Sequence, residues 1–353
     1  MDTRLSQVDM DYVRARLLEM LAIPSPTGFT NELSHMICRA LTELGIDFQL
    51  SRRGTIIAYI PGDQHQAARA IVNHIDTIGA IVADLKPNGR LALAPVGTWS
   101  SRFAEGGRVT VFTRHNAYRG QVLPLLASGH AFNERIDQLP IGWDQIEVRL
   151  NERCETRDDL VDLGIRSGDF IAFDTAPEFS ANGFICARHL DNKAGASALL
   201  GALKMITESG RRPALDLQAI FTVTEEVGTG AAASLSDEVI EFVGIDIGPV
   251  APGQNARETG VTLCALDTSG PFDYHLLQKL KGLCREYDIA HQVDVFRYYY
   301  SDANSAVRAG HDVRDALITF GTDATHGYER THMSSLESIA KLLYFYAFSP
   351  SAL

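Results

Sequence analysis

Cysteine is sparse in this chain: five residues in 353 (Cys38, Cys154, Cys186, Cys264 and Cys284), odd in number, widely scattered and without a Cys-x-x-Cys pair. That pattern fits buried free thiols in a reducing compartment and excludes a disulfide framework or a zinc knuckle. Long hydrophobic runs are missing too, since no stretch approaches the ~18 apolar residues of a membrane span. The N-terminal stretch MDTRLSQVDMDYVRARLLEML carries acids where a signal peptide needs a basic flank, and its apolar residues come at helical spacing. Basic charge is in short supply: 32 Lys and Arg against 44 Asp and Glu give a net charge of -12, which disfavours nucleic acid and anionic membrane as partners. The chain therefore reads as cytoplasmic.

Several catalytic signatures are absent as well. The chain has no Gly-x-Ser-x-Gly elbow, no phosphate loop ending in Gly-Lys-Ser/Thr and no Rossmann glycine fingerprint. Gly228 and Gly230 lack a following Lys and read as a turn. No internal repeat, low-complexity tract or charge run interrupts the sequence.

What is present is ordinary globular material, 45% hydrophobic and 22% charged, in a chain longer than one compact core usually needs. From Thr30 to Leu44 the residues Leu33, Met36, Ile37, Ala40, Leu41 and Leu44 fall on one helical face, and Gly45 follows as a stop. Strands are expected at Thr55 to Ile60 and Ala70 to His74. A second α/β run begins near Ile185, with a helix from Lys193 to Ile206 and strands at Leu215 to Thr224, Phe242 to Ile247 and Val261 to Leu266. It continues with a helix at Phe272 to Tyr287, a strand at Val293 to Tyr299 and a helix after Asp302. A strand at Ala316 to Gly321 and a helix from Ser334 to Ala347 complete it. Alternating helices and short apolar strands predict an α/β fold, a mostly parallel sheet flanked by helices. Between the blocks, short β-like pieces such as Arg108 to Thr113, Gln145 to Leu150 and Asp169 to Phe173 are separated by Gly, Asn and Asp turns. The expected organisation is a discontinuous catalytic domain, 1–77 and 185–353, with a small β-rich insertion at 78–184.

Chemistry gathers at the expected strand ends. His74 and Asp76 stand in NHIDTIG, where a strand gives way to a turn, and a carboxylate so placed can orient an imidazole. Asp191 precedes a helix in ARHLDNKAG, where it also suits a helix cap. Glu225 and Glu226 end the strand LQAIFTVTEE, and neighbouring side chains there can serve two roles. Asp246 is an acid inside the apolar FVGIDIG, and an unpaired buried carboxylate calls for a cation. His332 precedes the last helix; His326 and His189 are its rivals. Two His, two Asp and one Glu supply nitrogen and oxygen donors without thiolate, which suits two Zn²⁺, Co²⁺ or Mn²⁺ ions. A ligand charge of about -3 against +4 leaves a centre that acidifies water and stabilises a developing oxyanion.

This set resembles the tetrahedral and glutamyl aminopeptidases, a metallopeptidase family, over nearly the whole chain. The family's His-x-Asp-x-x-Gly matches His74, Asp76 and Gly79, and its Gly-Ile-x-x-Gly-Asp matches Gly164, Ile165, Gly168 and Asp169. Its Leu-Asp-Asn-Lys/Arg matches Leu190 to Lys193, its Glu-Glu matches Glu225 and Glu226, and its strand aspartate and terminal histidine match Asp246 and His332. The 117-position step from His74 to Asp191 suits this family, whereas relatives of the aminoacylase type place these ligands tens of residues apart. The resemblance implies that Asp191 bridges two metals, His74 and Asp246 complete one, and Glu226 and His332 the other. Glu225 would be the general base and Asp76 would orient His74. It further implies short peptides as substrates, an inserted domain that serves as lid and dimer contact, and assembly into a homo-oligomer, up to a tetrahedral dodecamer. Departures fall around the expected substrate pocket: Thr77 replaces the usual Glu, Ser301, Asp302 and Ala303 replace Thr-Asp-Ala, and Tyr298, Tyr299 and Tyr300 make an aromatic run. The last motif reads Tyr-Glu-Arg-Thr-His. These features also resemble the subgroup associated with the osmoprotectant N-acetylglutaminylglutamine amide. They raise the alternative of an amidase acting on an N-blocked dipeptide amide, beside the third reading of a non-catalytic metal-binding scaffold.

Overall fold

A computed structural model describes residues 7–352, so the first six residues of the N-terminal stretch lie outside the described range. Nine strands form the central sheet. Their order is Asp47–Leu50, Ile56–Ile60, Leu215–Thr222, Gln64–His74, Val239–Pro249, Arg314–Thr322, Val261–Asp267 and Gly270–Pro271, with His291–Val295 also pairing Val261–Asp267. The four middle strands, from Leu215–Thr222 to Arg314–Thr322, run parallel. Their inner residues are buried almost throughout, as in strands covered on both faces, while the pairings toward both edges include antiparallel ones.

On one face lie the helices Met10–Ala22, Leu190–Glu208 and Met333–Phe348. The second is buried along nearly its whole length, and its small residues let its neighbours approach. A Cβ on Gly201 would sit 2.6 Å from Val13, so glycine sets that helix spacing. The helix expected at Thr30 to Leu44 spans Asn31–Glu43, and its apolar stripe from Leu33 to Leu41 is buried. Asp9 caps the first helix by accepting the Tyr12 amide at 2.9 Å. None of the described helices is long and apolar enough to cross a membrane.

The middle of the chain closes on itself. Strands Gly79–Leu85, Leu91–Val96, Arg108–Phe112, Ala117–Pro124, Ile146–Leu150 and Phe170–Phe173 form a closed barrel whose interior is filled by Val82, Leu91, Val109, Val111, Val148 and Ile171. Its first and last strands are paired, Ala80 opposite Ile171. The short strand Glu178–Phe179 instead joins Phe184–Ala187 and Glu329–His332 in a separate three-stranded sheet.

One element departs from the sequence reading. The strand expected at Val293 to Tyr299 stops at Val295, and the three tyrosines form a loop. Tyr299 is held there by Thr268, whose hydroxyl accepts its amide at 2.9 Å and whose amide donates to its carbonyl at 3.2 Å. Aromatic residues favour strands, but these have no partner strand to continue along.

Candidate metal centre

Parallel strands end on the same side of a sheet, and that geometry gathers the chemistry here. His74 is the last residue of its strand, in register with Thr222, three residues before Glu225. Asp246 lies near the end of Val239–Pro249, and His326 follows the end of Arg314–Thr322 by four residues. Asp191 enters from the start of the helix Leu190–Glu208, whose first turn departs from helical geometry at Asp191 and Asn192, joined by a cis peptide bond.

The two imidazoles are mounted alike. His74 donates through Nδ1 to the Asp76 carbonyl at 2.9 Å, which leaves Nε2 facing Asp191 Oδ1 at 3.1 Å and Glu225 and Asp246 each at 3.7 Å. His326 donates through Nδ1 to the Thr98 carbonyl at 3.1 Å and turns Nε2 toward Asp191 Oδ2 at 3.5 Å and Glu226 Oε2 at 3.6 Å. A backbone carbonyl on one ring nitrogen and a bare second nitrogen aimed at carboxylates is how metal-binding histidines are oriented. Asp191 lies between them with one oxygen toward each. His74, Glu225 and Asp246, and likewise His74, Asp191 and Glu226, bring ligand atoms within 4.8 Å of one another.

His332 does not join this group. Its Nδ1 accepts the Ser334 amide at 3.1 Å as the cap of the last helix, and its Nε2 donates to the Asn182 carbonyl at 2.8 Å. Its ring packs edge-on against Phe184, and Gly183 must be glycine because a Cβ there would lie 2.5 Å from Nε2. Both nitrogens are engaged, whereas His326 is the histidine that faces Asp191 and Glu226. The signal was available: His326 follows a parallel strand end, whereas His332 ends a strand of the smaller sheet. His189, the other rival, lines a different cavity, and burial with the charge of Lys193 keeps its ring neutral, well below the usual imidazole range.

Asp76 lies beside His74, as expected, and holds a second post as well. Its carboxylate is 3.6 Å from His74 Nδ1, and its hydrogen bonds come instead from Thr27 Oγ1 at 2.7 Å and from the amides of Glu225 and Glu226 at 3.1 and 3.3 Å. It therefore fixes the turn that carries both glutamates, while its carbonyl accepts from His74 Nδ1 and its carboxylate lies within ion-pair distance of the same nitrogen. Three supporting residues escaped the sequence reading. Glu329 accepts the amides of both Asp191 and His326 at 3.0 Å and so ties the two ligand loops together. Asn73 donates to the Asn192 carbonyl at 3.0 Å, and Asn192 to that of Ile245 at 2.7 Å, which locks the turn at Asp191.

Electrostatically the group is short of positive charge. Burial lifts Glu225 well above the usual carboxylate range and Glu226 to about 8, with neighbouring acids adding to both. Burial works against a charged His326, yet the Asp191 hydrogen bond and the charge of Glu226 overcome it and raise the imidazole to about 10. Asp302, which accepts the Ala231 amide at 2.8 Å and the Thr222 hydroxyl, is lifted by burial to about 6. So many buried acids around two imidazoles fit divalent cations, which carry the charge that would otherwise be missing. The donor set, nitrogen and oxygen only, fits Zn²⁺, Co²⁺ or Mn²⁺.

A cleft of about 990 Å³ opens over these residues. Its walls include Ile247, Pro249, Phe296 and the three tyrosines from Tyr298 to Tyr300, and the barrel contributes Gly97 and Thr98. Burial, with the charges of Asp246, Asp191 and Glu225 close by, pushes the Tyr299 phenol well above its usual range.

The family model described as M42 glutamyl aminopeptidase matches residues 54–342. YhfE of Bacillus subtilis (strain 168), a candidate aminopeptidase, is 35% identical over 333 residues, covering 94% of this chain and 96% of that protein. The glutamyl aminopeptidase of Lactococcus lactis subsp. cremoris (strain MG1363) is 27% identical over 217 residues, 60% of this chain and 59% of its own. Among solved structures, the Pyrococcus horikoshii TET1 peptidase, described as assembling into a tetrahedron or a large octahedral shell, superposes with a TM-score of 0.85 at 21% identity, covering 96% of this chain and all (100%) of that one. At that identity the likeness speaks for the fold.

Proposed function

This chain belongs to the M42 glutamyl aminopeptidase family, a family of metal-dependent aminopeptidases, and on that premise we propose that it removes N-terminal residues from short peptides at a two-metal centre. The observation that carries the reading is Asp191, with one carboxylate oxygen turned toward each of two similarly mounted imidazoles. In this reading Asp191 is shared, His74 and Asp246 complete one metal position, and Glu226 and His326 complete the other. Two divalent ions so held would supply Lewis acidity and make water a nucleophile near neutral pH.

The chain's own groups do the rest. Glu225, on the turn fixed by Asp76, accepts the proton of the attacking water and returns it to the leaving amine. His74 and His326 stay oriented through their Nδ1 donations. The aromatic and proline-lined cleft has room for a side chain next to the acidic floor, which suits a substrate with a free, cationic amine. The closed barrel, which brings Thr98 to His326, we read as part lid and part contact for self-assembly, in keeping with the assemblies described for the TET1 peptidase. Five free thiols fit a place in the cytoplasm.

The test is turnover of a dipeptide amide pair, one with a free α-amine and one N-acetylated, by protein stripped with chelator and reloaded with Zn²⁺, Co²⁺ or Mn²⁺. Metal-dependent cleavage of the free-amine substrate is expected. Preference for the acetylated one would instead assign an amidase of N-blocked substrates, and turnover unaffected by metal would remove the metal centre from the reaction.

A further inference from the structure

Two residues beyond Asp191, the same helix gives Lys193 to a second cavity of about 390 Å³, between the barrel and the N-terminal helix. Lys193 is 1% exposed. Its ammonium makes one hydrogen bond, to the Ile23 carbonyl at 2.7 Å, and among the described residues no carboxylate lies within ion-pair distance of it. The acid that lines the cavity, Asp174, is taken at both oxygens by Arg119, which also donates to Thr110. The lining hydroxyls of Ser25, Thr77 and Thr175 already donate to the carbonyls of Ile75, Ile78 and Leu21.

Burial draws this amine down to about 7, and in its ammonium form, with three donors and one acceptor, it lacks both a counter-charge and hydrogen-bond partners, which pairing with an anion would supply. We propose that this cavity is a binding site for a small carboxylate, seated on the unspent N–H groups of Lys193. An acetate would leave room to spare, and the hydroxyl oxygens around it could accept from a ligand that also bears an amine, as a free amino acid does. The site stands apart from the hydrolytic reading, because no residue named for it reaches the cleft over the metal ligands.

The unfolding temperature of the metal-loaded protein, measured against acetate and against glycine with chloride holding ionic strength constant, tests it. The wild type should gain stability that saturates, as any ligand selective for the folded state confers, and Lys193→Met should lose that gain while Lys193→Arg keeps part of it. A larger response to glycine identifies the amino-acid form; a larger response to acetate identifies a bare carboxylate. Acetate bound at the metals would persist in Lys193→Met, so equal responses in wild type and variant overturn the proposal, as does no response in the wild type. Should Lys193→Met fail to fold, a crystal of the wild type soaked in acetate decides: planar density on Lys193 Nζ supports the site, and a cavity holding water alone refutes it.

Discussion

Glu225 and His326 are the residues whose roles are most sharply separable. Glu225→Gln keeps the shape of the turn but removes the proton carrier, so kcat should fall at least ~10²-fold while metal content, read by mass spectrometry, stays at the wild-type level. Near-normal turnover would take the base role away from Glu225. His326→Ala should lower metal content, because Nε2 faces two carboxylates of the centre. His332→Ala should leave it full and cost roughly 1 kcal/mol through the lost helix cap, seen as a small fall in Tm. The opposite outcome would restore His332 as the ligand. Why the sequence pointed to His332 is itself physical. Six positions separate the two histidines, both flank a strand, and a motif match fixes the order of ligands but not which nitrogens are already engaged. The gathering of His74, Asp191, Glu225, Glu226 and Asp246 was legible because each follows or lies near the end of a strand or opens a helix. Glu329, Asn73 and Asn192 were not, because each also reaches a backbone group between 53 and 138 residues away.

At the level of elements, the sheet and the long helices were readable from periodicity, since burial on two faces or on one stripe leaves a direct imprint on residue type. Barrel closure and the loop of Tyr298–Tyr300 were not, because both depend on which strand finds which partner. The helix that begins at Leu190 shows how tightly an element can be bound to the site it serves. A Cβ on Gly195 would lie 2.2 Å from Asn192 Oδ1 and 2.3 Å from Asn73 Oδ1, the amides that lock the turn at Asp191. Gly195→Ala should therefore displace Asp191 and destabilise by about 1–3 kcal/mol, with weaker metal retention on dialysis than in the wild type. If Gly195→Ala held metal as firmly as the wild type, that turn would be softer than its packing suggests.

For the molecule as a whole, the ion pair of Arg69 and Glu241 fastens the last helix to the sheet. Arg69 reaches Glu241 at 2.8 Å and also the carbonyls of Tyr346, Ser349 and Pro350, while Glu241 accepts from Tyr346, Ser351 and Lys279. Burial alone would raise the Glu241 carboxyl, but Arg69 and its other partners hold it at about 2, below its ordinary 4.5. A carboxylate depressed on folding contributes stability that is complete above its unfolded value and vanishes as pH falls from about 4.5 to about 2; the shift corresponds to roughly 3 kcal/mol. The Tm gap between wild type and Glu241→Gln should accordingly be wide at pH 6 and shrink through that window. A gap that ignored pH would assign the effect to packing.

The pairing of Ala80 with Ile171 brings the beginning and the end of the barrel side by side. A closed unit with adjacent ends can be lengthened, trimmed or exchanged without pulling the sheet apart, provided the short stretch at Gly97 and Thr98 still arrives beside His326. The outer face of the barrel can thus change in shape or charge while the ligand-bearing strand ends beneath it keep their places.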